Sequence, residues 1–260
     1  MPTLESVDPS ILFVMMKGEP GTRKSTCALS FPTPQYWFSW DRKMNGLLIP
    51  MRNWGIDPKL IVFDDYDNYD KGRIKMEQLQ VNCPYKTIIV DSITTAADAS
   101  LRQVRKGKGT AKKVHTIPVD GLEEFNAEAA SLSEMVALLK DIHTFHKVNV
   151  ILIAHVLQVD YKSVTGETHM SRTIVTAAKK IAAKIPAVCG EVYHHNMKKG
   201  FEADASGQYA LFTEHTGDDF ARTALPLDRE IVFGGEQLYD KYLMPAIKKL
   251  QQAPQIVTKF

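Results

Sequence analysis

Apolar residues in this chain gather in short unbroken runs, set between polar and amphipathic stretches. Ile11-Leu-Phe-Val-Met-Met16, Tyr36-Trp-Phe-Ser-Trp40, Leu60-Ile-Val-Phe63, Tyr85-Lys-Thr-Ile-Ile-Val-Asp91 and Val148-Asn-Val-Ile-Leu-Ile-Ala154 read as five strands. Continuous rather than alternating runs suit parallel strands covered on both faces. Helical stretches alternate with them. Cys27-Ala-Leu-Ser30 opens a helix that the prolines of Phe31-Pro-Thr-Pro34 stop. Residues 73–79 form a short helix, and residues 95 to about 104 can be helical. Residues 121–146 carry Leu122, Phe125, Leu132, Met135, Leu138, Leu139 and Ile142 at helical spacing. Residues 176–184 are a short helix stopping before Pro186. Residues 191–195 and 209–213 form a hairpin, 221–226 cross to a last strand at 230–233, and 237–251 are a C-terminal helix before a short tail.

Strands alternating with helices give an α/β fold: a doubly wound, mainly parallel sheet with right-handed crossovers and an antiparallel hairpin at one edge. One domain is expected over residues 1–260. In such sheets ligands bind beyond the carboxyl ends of the strands. Asp41, Asp64 or Asp65, Asp91 and His155 are expected there.

The most informative stretch follows the first strand: Gly18, Glu19, Pro20, Gly21, Thr22, Arg23, Lys24, Ser25, Thr26. Strand, glycine-bearing loop, Lys-Ser and helix form the context of a phosphate-binding loop. Backbone N–H groups converge on one spot, and the start of a helix favours an anion there. Lys24 would reach the outer phosphates of ATP, and the Ser25 hydroxyl would sit on Mg²⁺. One position departs from the pattern G-x-x-x-x-G-K-[ST]: Arg23 stands where glycine is expected. Its side chain must point away from the phosphates or join them. The plainer reading is a turn that happens to hold Gly, Lys and Ser. Asp91, ending an apolar strand, would serve the same Mg²⁺ directly or through water; alone, it could equally cap a turn.

Composition narrows the class. Lys plus Arg number 32 against 30 Asp plus Glu, so net charge predicts no polyanionic partner. Cys27, Cys83 and Cys189 are scattered, which argues against a zinc site or a disulfide framework and suits a reducing, cytoplasmic compartment. The N-terminus lacks the pattern of a signal peptide. No apolar run reaches the roughly 20 residues of a membrane span. His143 and His146 share a helix face without a third ligand and read as surface residues, while His194 and His195 point to opposite faces of a strand.

Charge is distributed unevenly. Arg102, Arg105, Lys106, Lys108, Lys112 and Lys113 crowd one glycine-spaced segment with no acidic residue. Such a run can displace counterions from nucleic-acid phosphates, or can simply be a solvated loop. A second polar stretch, residues 160–172, holds Lys162 and Arg172, with Tyr161 and His169 available to stack on unpaired bases and Gly166 as its turn.

The loop at residues 18–26, Ile88-Ile-Val-Asp-Ser92, Ile151-Leu-Ile-Ala-His155 and Ala221-Arg-Thr-Ala-Leu-Pro226 together resemble the RecA-type ATPase core. The closer likeness is to phage-encoded RecA-like proteins, a group that includes single-strand annealing ATPases, and it covers roughly residues 10–235. The resemblance implies an ATPase acting on single-stranded DNA in recombination or annealing. It implies Asp41 as the residue that positions the attacking water, one methylene shorter than the usual glutamate. It implies His155 as a γ-phosphate sensor and Arg222 as an arginine offered to a neighbour's nucleotide. The segments 102–113 and 160–172 fall where such proteins place DNA-facing loops. A homo-oligomer, ring or filament, would follow, with a single-strand binding protein as a further partner. A small-molecule kinase and a nucleotide-gated scaffold without significant hydrolysis are the rival readings.

Overall fold

The computed structural model describes residues 8–107, 122–162, 168–176, 179–198, 208–216 and 219–252. In chain order these form β1 (Phe13–Gly18), α1 (Lys24–Leu29), β2 (Gln35–Ser39), a 3-10 turn (Met44–Leu47) leading into α2 (Leu48–Trp54), and β3 (Ile61–Asp65). Then come α3 (Tyr69–Val81), β4 (Thr87–Asp91), α4 (Ile93–Gly107), α5 (Leu122–His146), β5 (Asn149–Lys162) and β6 (Thr168–Ile174). The last elements are α6 (Lys179–Val188), β7 (Glu191–Lys198), β8 (Gln208–Phe212), β9 (Glu230–Phe233), a wide π-helical turn (Tyr239–Leu243) and α7 (Met244–Gln252).

Among the described residues, nine strands make one sheet in the order β3-β2-β4-β5-β1-β7-β8-β9, with β6 attached to β5. The first six in that order pair parallel. β8 and β9 add antiparallel at one edge. This is the doubly wound sheet with an edge hairpin that the apolar pattern predicts.

Both faces are buried, which explains the unbroken apolar runs. Met15, Phe38, Val90 and Leu152 face one layer with Leu132, Met135, Leu139 and Ile142 of α5. Met16, Trp37, Ile89 and Ile151 face the other with Cys27 and Leu29 of α1, Met51 of α2 and Ile247 of α7. Ile89 and Ile151 are wholly buried, so truncating either to Ala costs about 2–5 kcal/mol. Asn68 caps α3, its Oδ1 accepting from Asp70 N at 2.8 Å, a contact worth about 1 kcal/mol.

Several expectations need correction. β5 does not end at Ala154. It runs past His155, leaves the sheet and pairs with β6 as a two-stranded ribbon from Val156↔Ile174 to Lys162↔Thr168. Most of the polar stretch 160–172 is therefore strand rather than loop. Polar side chains conceal such a ribbon; at its base Val156 and Ile174 are buried, while Leu157 is exposed. α6 passes through Pro186 instead of stopping before it. Ile181, Ala182 and Ile185 are buried beneath it, and that packing outweighs the one hydrogen bond proline cannot give. The C-terminal helix opens as a π-helical turn just before Pro245, which has no N–H to offer the preceding turn. The 3-10 turn and α2 have no counterpart in the sequence reading.

Candidate nucleotide site

The loop between β1 and α1 lies against β7. A Cβ on Gly18 would stand 2.3 Å from the His195 carbonyl oxygen, so only glycine lets the strands approach this closely. Thr22 Oγ1 donates to the Glu19 carbonyl at 2.8 Å and closes the loop. Arg23 takes the left-handed conformation, φ 60° and ψ 24°, that glycine supplies in the usual pattern. For a residue with a Cβ this costs about 1–2 kcal/mol. Its side chain turns away from the loop: Nη1 donates to the Gly234 carbonyl at 2.9 Å, and the guanidinium lies 4.7 Å above the centre of the Tyr209 ring. The arginine does not block the cradle.

Lys24 is buried, and its Nζ donates to the carbonyls of Gly18 at 2.9 Å and Glu19 at 2.7 Å and to Thr22 Oγ1 at 3.3 Å. Burial lowers its pKa to about 8, against the pull of Asp91, Asp41 and Glu19. Ser25 Oγ donates to Asp91 Oδ2 at 2.7 Å, joining the loop to the end of β4. One hydroxyl beside one carboxylate suits Mg²⁺, which takes few protein ligands and fills its octahedron with phosphate oxygens and water. Ser25 and Asp91 are the residues that would hold it. Burial raises the Asp91 pKa, while the Ser25 hydrogen bond opposes the shift.

Asp41 lies two residues beyond β2. The N–H groups of Trp40 and Asp41 both donate to the Asp91 carbonyl, at 2.7 and 3.1 Å, which draws Asp41 over the end of β4. Its Oδ1 accepts from Ser92 Oγ at 3.0 Å and from Thr95 Oγ1, and its Oδ2 faces His155 Nε2 at 3.1 Å. Burial pushes this carboxyl up. Hydrogen bonds from His155, Thr95 and Ser92, with the electrostatic influence of His155, outweigh burial and hold it at about 2. The His155 N–H donates to Thr94 Oγ1 at 3.0 Å. Its Nδ1 is buried without a hydrogen-bond partner among the described residues.

These groups line a cavity of about 280 Å³, formed by Pro20 to Thr26, Asp41, Asp91, Ile153 and His155. Lys43, Gly46 and Leu47 complete it. Sequence reasoning missed this last wall. Its only signal was proximity to Asp41, since residues 43–54 carry neither helical nor strand periodicity.

Other candidates lie elsewhere. Asp64 is engaged by the hydroxyl of Tyr36 and by that of Tyr66 at 3.4 Å, and neither it nor Asp65 lines the cavity. Arg222 pairs its backbone with Val192, in the first half of β7, and its Nη2 donates to the carbonyls of Ala187, at 3.0 Å, and Cys189. Arg172 on β6 bonds Asp219 Oδ2 at 2.6 Å and lies 4.0 Å from Glu19 of the loop. Arg102 and Arg105 are exposed on the last turns of α4, which also holds the backbone of Lys106. Lys108, Lys112 and Lys113 lie outside the described residues, as do the side chains of Lys106, Tyr161, Lys162 and His169. His143 and His146 are half-buried pins rather than surface groups: their ring nitrogens meet the carbonyls of Val148 and Gln80, each at 2.8 Å.

A fold with the phosphate loop on β1, an aspartate ending β4 and a polar residue on the strand between them defines a P-loop nucleotide-binding ATPase. A family model described as an AAA domain matches residues 12–224, and the chain belongs to that family. No curated protein matches the chain. No helix among the described residues is long and apolar enough to cross a membrane.

Proposed function

We propose that the protein binds ATP with Mg²⁺ in this cavity, hydrolyses it, and works on single-stranded DNA as a RecA-like protein of recombination or strand annealing. The observation that carries the reading is the pairing of Asp41 with His155 immediately beside the Ser25–Asp91 contact. Asp41 is ionised and accepts only, so it can orient a water for in-line attack. With its pKa near 2 it is a weak base, and orientation rather than proton removal is its work. Lys24 exchanges the carbonyls of Gly18 and Glu19 for phosphate oxygens. Mg²⁺, when bound, neutralises phosphate charge. His155 touches Asp41 and lies at the root of the β5–β6 ribbon, so a change at the γ-phosphate has a short path to that ribbon.

In this reading the chain acts in the cytoplasm as a homo-oligomer, ring or filament, and can meet a single-strand binding protein on its DNA. Arg222 would serve a neighbour's site only after releasing the carbonyls of Ala187 and Cys189. A second reading is favoured by one detail: both Asp41 oxygens already have protein partners, as in a nucleotide-gated scaffold that binds but hardly hydrolyses. ATP binding and turnover, measured with and without single-stranded DNA, test both. Turnover stimulated by DNA supports the first. Binding without turnover favours the scaffold. Absence of binding overturns both.

A further inference from the structure

The turn that follows β9 touches the phosphate loop on one side and the end of α2 on the other. Its Gly234 carbonyl accepts from Arg23 of the phosphate loop at 2.9 Å. Its Gly235 carbonyl accepts from Trp54 Nε1, at the end of α2, at 3.0 Å. α2 continues from the 3-10 turn whose Gly46 and Leu47 form the opposite wall. The turn is itself braced. Glu236 Oε2 accepts from Gly234 N at 3.0 Å, and its Oε1 accepts from Lys241 Nζ and the Tyr242 hydroxyl, each at 2.8 Å. Tyr209 on β8 supplies the ring beneath the Arg23 guanidinium.

We propose that Arg23 is a positioning residue for nucleotide binding: braced on Tyr209 and Gly234, it fixes the phosphate loop against the β8–β9 edge in the conformation that receives phosphates. The proposal rests on the reading of this cavity as the nucleotide site. It explains why an arginine occupies a left-handed position that glycine would fill without strain. A glycine there would relax the backbone but release the brace. The edge strands thereby gain control over the loop, and anything that displaces β8 or the 234–236 turn loosens the grip on nucleotide.

The test uses the full chain and Mg·ATP, with Lys24→Ala as the reference for the site itself. Arg23→Gly should weaken affinity about tenfold, although it relieves strain and should not lower the melting temperature. The loss should appear in KM with kcat unchanged. Tyr209→Leu should reproduce it and Tyr209→Phe should not, since phenylalanine keeps the ring. The Arg23→Gly/Tyr209→Leu double variant should be no worse than either single variant, the sign of one shared contact. Wild-type affinity in Arg23→Gly while Lys24→Ala abolishes binding overturns the brace and leaves the site intact. So do losses that simply add. Undiminished binding in Lys24→Ala overturns the site and the brace together.

Discussion

Two polar clusters crown the sheet on opposite faces, one residue apart along β1. On the α1 face, Gly18 and His155 are in register, and Lys24, Ser25, Asp41 and Asp91 meet around the cavity. On the other, Lys17 and His194 are in register and gather around Asp219. Arg172 bonds that carboxylate at 2.6 Å and His194 Nε2 stands 3.6 Å from it. Both clusters hold strongly shifted groups. Burial lowers Lys17 to about 8, with Asp219 opposing, and lowers His194 to about 4, again with Asp219 opposing. Perturbed titration alone therefore does not mark the site. What separates the two is access and exchangeability. Lys24 is bound to loop carbonyls that phosphate oxygens can replace, and it lines a cavity. The counter-charge of Lys17 and His194 is the Asp219 carboxylate, which is built into the fold.

The contrast can be broken by substitution. The largest effect expected is that of Lys24→Ala: loss of ATP affinity by at least about a hundredfold, with the thermal midpoint little changed, read by calorimetric titration. Asp41→Asn should retain ATP affinity and lower turnover by about 10²-fold, a transition-state effect; normal turnover would remove Asp41 from the mechanism. Asp219→Asn should do the reverse. It leaves Arg172 and Lys17 without their carboxylate and should cost about 1–3 kcal/mol of stability in urea unfolding, while ATP affinity moves less than about threefold.

The smallest effect is a pH dependence, and it sharpens the comparison because Lys17 and Lys24 share the same shift. Phosphate prefers the protonated amine. Since the free-state pKa of Lys24 is about 8, affinity should be flat below that value. Above it, affinity should fall by up to about tenfold per pH unit as proton uptake becomes part of binding. Lys17→Met should leave this profile in place. A profile that flattens in Lys17→Met would put the titrating amine in the wrong cluster.

How much of this was legible follows from distance along the chain. The phosphate loop and Asp91 were readable because each signal is local: a loop flanked by strand and helix, an apolar run closed by an acid. Asp41 was readable as an acid just past a strand and His155 as the polar residue closing an apolar run, though β5 continues beyond it; their contact spans much of the chain and depends on β2 and β5 flanking β4. Asp64 had the same signal as Asp41 but does not line the cavity, because β3 is the outermost strand and its acid is engaged by Tyr36 and Tyr66. The Arg172–Asp219 pair and the Arg23 brace join segments with no shared periodicity, so nothing in one stretch points to the other. The polar arms of the β5–β6 ribbon hid its strands, and Gly166, read as the turn of that stretch, lies outside the described residues.

The position of β1 also sets an order of assembly. Its two neighbours are β5 and β7, both from the second half of the chain. During synthesis the loop with Lys24 is made early but stays on an unpaired strand until those later segments arrive, and pairing over such separations is slow. A chain cut before Asn149 would carry the whole loop motif and Asp91 and still lack both walls that hold β1. The phosphate loop is thus encoded before the two strands that complete its setting, and ATP added during refolding should act on the late phase and not the early one.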